Sequence, residues 1–310
     1  MSELVTIFTP TYNRAHLLPR LYDSLKKQTK KDFVWLVVDD GSVDDTQKLI
    51  QGWIKDGDIL IQYCHKQNGG KMRAHNMGVR ICNTELFMCL DSDDYLSPNC
   101  IERIYSCWDS LKEKDNVSGI VAYRNMIGQT SSYFPDKQFA TLKEINKVYK
   151  GETALVFRTK ILKSNLFPEL DGEKFIGEGV VYSKLDAKYV LAVVPEYWIE
   201  CEYQEGGLTD SALKLLMNNP KGWALNAQTK YLYNAENLKE KIKYTSTYIC
   251  ASLVARKSLY RIIVDFPNKI LCVSCLLLGL LQKIKNDRQV KVMAGRLSAK
   301  NLAYFSSRYA

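Results

Sequence analysis

Over its first hundred residues the chain alternates short apolar runs with amphipathic stretches, the pattern of parallel βαβ construction. Leu4 to Phe8, Phe33 to Val38 (FVWLVV), Ile59 to Cys64 and Glu85 to Leu90 (ELFMCL) read as buried strands. Between them, Arg14 to Gln28 reads as a helix after an Asn13 cap, and Asp44 or Asp45 opens a second running to about Ile54. Lys71 to Cys82 reads as a third helix, after an Asn68-Gly69-Gly70 turn. Beyond about residue 110 the alternation loosens. Ile120 to Arg124, Thr153 to Arg158 and Leu191 to Val194 still look like strands, and from Ser211 onwards the chain is predominantly helical. One long amphipathic helix is expected over Tyr231 to Lys257 and a more apolar one over Arg261 to Lys285. The expected architecture is α/β, a mostly parallel sheet flanked by helices over residues 1–215, with a helical C-terminal extension over 216–310.

Polar clusters follow the strands. The first strand runs into Thr9-Pro10-Thr11-Tyr12-Asn13-Arg14. That loop either caps the next helix or offers backbone N–H groups, an aromatic face and a cation to a nucleotide. The second strand ends in Asp39-Asp40-Gly41-Ser42, where a carboxylate can accept hydrogen bonds from a base or ribose; Asp44 reads as a helix cap. The strand at Glu85 runs into Asp91-Ser92-Asp93-Asp94. Three acids in so short a stretch repel one another unless a cation lies between them. Oxygen ligands of this kind suit Mg²⁺ or Mn²⁺ bridging to substrate phosphates. The alternative is an acidic turn ahead of a helix opened by Ser97-Pro98. All three clusters fall on one edge of the sheet, the edge at which open α/β sheets bind ligands.

Composition narrows the partners. The 310 residues are 46% hydrophobic and 25% charged, as in ordinary folded proteins, and long enough for a large core. A net charge of +9 fits sugar nucleotides, nucleic acid or an acidic membrane surface. Nucleic acid is disfavoured, since basic and aromatic residues are not interleaved in motifs. The nine cysteines are scattered, several of them in apolar runs, and read as reduced core residues of a cytoplasmic protein. The opening MSELVTIFTPTYNR does not read as a signal peptide. The longest apolar run, Ile270 to Leu281, is too short to span a bilayer. Lys283, Lys285, Arg288, Lys291 and Arg296 follow it. This region reads either as a buried helix with a solvated basic tail or as a monotopic contact with anionic lipid.

The segments TPTYNR, VVDDGSVDDT, NGGKMRAHNMG and LDSDD, in this order and spacing, resemble those of family 2 glycosyltransferases of the GT-A type. The resemblance is dense over residues 4–100 and thinner over 150–210. It implies a GT-A fold with a nucleotide-sugar half over about residues 1–100 and an acceptor half over about 101–215. It further implies a nucleotide-diphosphate-sugar donor, UDP-sugar foremost, and Mg²⁺ or Mn²⁺. Transfer would proceed with inversion to a hydroxyl of a glycan or lipid-linked acceptor, in surface polysaccharide synthesis. The cysteine pattern places such a protein in the cytoplasm, and the monotopic reading of residues 270–296 would place it peripherally at the inner face of the membrane.

Carried over by residue, Pro10, Thr11 and Tyr12, with Arg14 beside them, match the loop that packs on the nucleoside. Asp39 matches the carboxylate that reads the base, with Asp40 its neighbour in the turn. Lys71 lies where basic residues approach the diphosphate; Asn76 and Gly78 match the last positions of that stretch, and His75 stands where the family commonly has Arg. Asp91, followed by Ser92, matches the first position of the DxD motif, and Asp93 the metal-binding position, with Asp94 a further acid. The second acid of the family's ED-type motif falls on Gly179. That leaves Glu178 as the base that would deprotonate the acceptor, with Glu173 and Asp186 as alternatives. Tyr203-Gln204-Glu205-Gly206-Gly207-Leu208-Thr209 resembles the segment that closes over donor or acceptor. Gly179 also keeps open a catalytically inactive sugar-nucleotide binder or scaffold.

Overall fold

The structure, a computed structural model, describes residues 3–126, 132–201 and 212–306, with backbone only at 126 and 293–306. The chain forms two compact units, one of residues 1–174 and 181–204, the other of residues 175–180 and 205–310. The first carries β1 (Val5–Thr11), α1 (Leu18–Lys26), β2 (Phe33–Asp39), α2 (Thr46–Asp56), β3 (Leu60–His65) and α3 (Lys71–Ile81). It continues with β4 (Leu86–Cys89), β5 (Tyr95–Leu96), α4 (Cys100–Ser110), β6 (Val117–Met126), β7 (Phe139–Ala140) and α5 (Leu142–Val148). β8 (Thr153–Arg158), α6 (Thr159–Lys163), α7 (Gly179–Asp186), whose first turn begins in segment 175–180, and β9 (Val190–Cys201) complete it.

The strands form one sheet in the order β3-β2-β1-β4-β8-β6-β9-β5, with β7 added to β9. β1 to β4 run parallel, β8 enters antiparallel between β4 and β6, and β6 and β9 are parallel to each other. The sheet is therefore mostly parallel, as expected. β2 is buried at every position, which is why FVWLVV shows no alternation: helices cover both faces. On one face Val5, Ile7, Trp35, Val37 and Met88 pack with Leu21, Leu25, Ile50, Ile104 and Trp108 from α1, α2 and α4. Each fully buried aliphatic side chain there stabilises the fold by about 2 kcal/mol. On the other face Phe8 stacks on Phe87, with ring centroids 5.1 Å apart. α3 approaches so closely there that a Cβ on Gly78 would lie 2.5 Å from the Phe8 ring, and only glycine fits.

α1 starts at Leu18 rather than Arg14, with a proline in its first turn. Asn13 is not its cap: it lies at φ +52°, and its side chain accepts from the Val43 amide. The second unit holds α8 (Ala212–Asn218), α9 (Pro220–Tyr233), α10 (Leu238–Val254), α11 (Leu259–Val264), α12 (Lys269–Ser274) and α13 (Leu276–Ser306). The expected helix over 231–257 is broken, because α9 stops at Asn234 and Asn237 caps α10 by accepting from the Glu240 amide at 3.0 Å. The expected helix over 261–285 is three, with Ser258 and Asn268 as caps. Apolar periodicity ran through these positions, but the caps decide the ends.

Trp223, Ala227, Tyr248, Ile249, Ile262, Phe266, Cys272 and Cys275 form the core of this unit. Cys272 and Cys275 have CxxC spacing, yet both are free and buried, and burial pushes the Cys272 thiol up to about 11. They are core residues rather than reactive thiolates. Among the described residues no helix is long and apolar enough to cross a membrane.

Candidate active site

The parallel register sets Thr11 of β1 beside Asp39 of β2, and Asp39 beside His65 of β3, so the strands finish on one edge. Two loops there are sewn together. The Thr11 carbonyl accepts from the Asp40 amide at 2.8 Å, and Ser42 Oγ accepts from the Asn13 amide at 2.8 Å. Asn13 Oδ1 accepts from the Val43 amide at 2.8 Å, and Asp44 accepts from the Ala15 amide at 3.0 Å. The left-handed backbone at Asn13 is what lets one residue both donate and accept across the gap. Pro10 and Arg14 are partly exposed on this rim, and Tyr12 presents an exposed ring. Thr11 Oγ1 is buried with no hydrogen-bond partner. Asp39 is fully buried and accepts from the Ser42 amide at 2.7 Å and from the Tyr63 hydroxyl at 2.8 Å. Each of its oxygens keeps a further lone pair.

Asp40 turns away from this rim. Its carboxylate accepts from Lys66 Nζ at 2.6 Å and from the Gly69 and Gly70 amides at 2.9 and 2.7 Å, with Asn68 Nδ2 at 3.2 Å. It holds the turn that opens α3. Gly70 lies at φ +95°, and a Cβ there would meet the Lys174 carbonyl oxygen at 1.9 Å, so the turn requires glycine. Lys71, the first residue of α3, is thereby aimed at Asp91, with its Nζ 2.8 Å from Oδ1.

Asp91 follows β4 and Leu90. Arg124 of β6 lies 3.9 Å away, and binds Asp94 closely and Glu152 at 2.9 Å. Burial pushes the Asp91 carboxyl up, but Lys71 and Arg124, with Arg14 further off, outweigh it and hold it below the usual carboxylate range. Asp94 is buried, and burial pushes its carboxyl up against the Arg124 charge. Ser92 is buried and Asp93 partly exposed. Asp94 is thus committed to Arg124, while Asp91 and Asp93 remain partly exposed. Among the described residues no three His, Cys, Asp or Glu side chains are grouped to hold a metal. Two carboxylates still fit Mg²⁺ or Mn²⁺ of the kind that takes its other ligands from phosphates and water.

His75 and Asn76 do not reach this edge. His75 is buried against the edges of Phe8, Phe87 and Phe167, with centroids 5.1 to 5.6 Å away. Burial, then the Lys71 charge, lowers its pKa to about 3, against a weaker pull from Asp91, so the ring is neutral. Asn76 is fully buried and brackets the Phe167 backbone, donating to its carbonyl at 2.8 Å and accepting from its amide at 2.9 Å.

The unfolded chain takes up a proton at His75 as pH falls below 6.5, and the folded chain does not until about pH 3. Stability contributed this way is complete above 6.5 and falls by about 1.4 kcal/mol per pH unit below it. Urea unfolding is expected to show a loss of about 2 kcal/mol between neutrality and about pH 5 that His75→Leu removes.

Glu178 is exposed, in the segment that belongs to the second unit. Asp186 accepts from the Lys143 amide at 2.9 Å and anchors the start of α5, and Glu173 is buried with its carbonyl accepting from Arg73. Tyr203 to Thr209 lie outside the described residues. Sequence reasoning passed over Arg124, Tyr63 and Lys66. Their only signal was a polar side chain within or just after an apolar strand.

A family model described as "Glycosyl transferase family 2" matches residues 6–165. Glycosyltransferase GlyG of Streptococcus pneumoniae serotype 4 is 28% identical over 199 residues, 59% of this chain and 65% of that protein. The teichoic acid poly(glycerol phosphate) polymerase of Staphylococcus epidermidis is 28% identical over 52% of this chain and 23% of its own length. The chain therefore spans less than two thirds of either relative. Among solved structures, Staphylococcus aureus TarS 1–349 in complex with UDP-GlcNAc superposes with TM-score 0.61 at 19% identity, over 96% of this chain and 92% of that one. The mannosyltransferase PcManGT from Pyrobaculum calidifontis, in complex with GDP-Man and Mn²⁺, gives 0.54 at 16% identity, over 92% and 88%. These likenesses show a shared GT-A fold. With more than half its length matched by the family model and the strand-end residues in place, the chain belongs to glycosyl transferase family 2.

Proposed function

We propose that the chain transfers a sugar from a nucleotide-diphosphate-sugar, UDP-sugar foremost, to a hydroxyl of a glycan or lipid-linked acceptor in surface glycan synthesis. The observation that carries this reading is the convergence of Thr11, Asp39 and Asp91 on one sheet edge, with Lys71 and Arg124 beside Asp91. The nucleoside would lie against Pro10, Thr11 and Tyr12, with Asp39 accepting a base N–H on a remaining lone pair and the Thr11 hydroxyl given a partner. Asp91 and Ser92 would meet the ribose, and Lys71 and Arg14 the diphosphate. Asp91 and Asp93 would hold Mg²⁺ or Mn²⁺, which when bound would help neutralise the leaving diphosphate.

Lys71 would turn from Asp91 toward phosphate as donor enters, keeping the edge near charge balance. Inversion at the anomeric carbon requires one base, and Glu178 is assigned that role; it would take the acceptor hydroxyl proton as the oxygen attacks. The relatives' and neighbours' own names (a teichoic acid polymerase, complexes with UDP-GlcNAc and GDP-Man) support the donor class and the surface-glycan setting.

Calorimetry and donor hydrolysis across UDP-, GDP- and dTDP-sugars with Mn²⁺ test the reading. One donor is expected to bind to wild type and to Glu178→Gln, but not to Asp93→Ala. Glu178→Gln is expected to lose turnover. Equal binding to Asp93→Ala would remove the metal assignment, and undiminished turnover in Glu178→Gln would remove the base.

A further inference from the structure

The second unit has a face that its own fold leaves uncovered. α12 and the first half of α13 turn Cys272, Cys275, Gly279 and Asn286 inward. Their rotation is fixed, because a Cβ on Gly279 would lie 2.5 Å from Ile249 Cγ2 of α10 and 3.1 Å from the Ser246 carbonyl oxygen. The opposite side therefore presents Ile270, Val273, Leu277, Leu278, Leu281 and Ile284 outward, with Ile270 83% and Leu277 67% exposed. A contiguous apolar face of this kind is uncommon on an isolated protein and marks a contact.

The charges around it are one-sided. Between Lys269 and Val292 the sequence has Lys269, Lys283, Lys285, Arg288 and Lys291 against a single acid, Asp287. That acid is already bound to Lys283 at 2.7 Å. Along α13 the outward side changes from leucine to lysine and arginine near residue 284, so one end suits hydrocarbon and the next suits anions. We propose that this face of α12 and α13 docks on an anionic lipid surface. Ile270, Leu277 and Leu281 enter the headgroup boundary, and Lys285, Arg288 and Lys291 meet lipid phosphates. Charge argues against a second copy as occupant. A two-fold contact sets the strip against itself, and it offers no spare acid to complement its own bases. The inference needs no donor chemistry and stands apart from the proposed activity.

Flotation of the full chain with phosphatidylcholine vesicles, with and without phosphatidylglycerol, tests it. Wild type is expected to float only with the anionic vesicles and to be released by salt. Leu277→Ser/Leu281→Ser and Lys285→Glu/Arg288→Glu are each expected to lower the bound partition by about tenfold, with an unchanged thermal melt. All four positions are exposed or face solvent in part, so folding is not at stake. Asp93→Ala is expected to float like wild type, which separates this surface from the donor site. The proposal is overturned if wild type fails to float, or if both double variants float as it does. It is equally overturned if sedimentation finds a lipid-free dimer that the leucine variant dissociates.

Discussion

Asp91→Asn is expected to lower kcat/KM for the donor by about a hundredfold or more while leaving the melting temperature nearly in place. The side chain sits where β4 has just ended, within 2.8 Å of Lys71 and 3.9 Å of Arg124. Those cations hold it ionised, so what the substitution removes is a full negative charge at a partly exposed edge. The ion pair itself is worth only about 1 kcal/mol or less to folding at that exposure. In the proposed role beside a ribose and a metal-bound diphosphate the same carboxylate would be worth much more, because asparagine offers neither the charge nor the second acceptor oxygen. Steady-state kinetics beside a thermal melt distinguishes the two roles. Loss of stability with kinetics retained would make Asp91 a counterion of Lys71 and nothing else.

Asp40→Ala is expected to be the most destabilising change at this edge, by about 2–3 kcal/mol in denaturant unfolding. The carboxylate is buried and serves Lys66, Asn68 and two glycine amides. Removing it leaves a half-buried ammonium and two backbone donors without their acceptor. The effect reaches Lys71, because the turn at Gly70 sets where α3 begins and hence where Nζ points. Donor affinity is therefore expected to fall in Asp40→Ala even after correction for the unfolded fraction. A loss below about 1 kcal/mol would mean that water replaces the carboxylate in the turn.

These two aspartates show how far the sequence could be read. Both stood out because they follow apolar runs, and the strand-end rule located them correctly on the sheet edge. What distinguishes them is not local. Asp40 is occupied by residues about thirty positions later, and Asp94 by Arg124 thirty positions later, and no spacing rule pairs them. His75 carries the same lesson in reverse. It stands where the family commonly has Arg, and three aromatic rings from separate elements enclose it. The parallel strands were legible because each carries its own apolar run. β8 was legible as a strand but its reversal was not, since the run Thr153 to Arg158 looks the same in either direction. Helix ends in the second unit failed where periodicity continued through Asn234, Asn237 and Asn268, whose side-chain and backbone bonds outweigh it locally.

The four hydrogen bonds that join residues 11–15 to 40–44 are all made between groups of the protein itself. A nucleoside arriving at that rim would meet walls that need no ordering, so little conformational entropy opposes its capture. Such a rim can discriminate by shape on first contact. A base of the wrong outline would be refused because the walls cannot relax to admit it, not because a charge repels it.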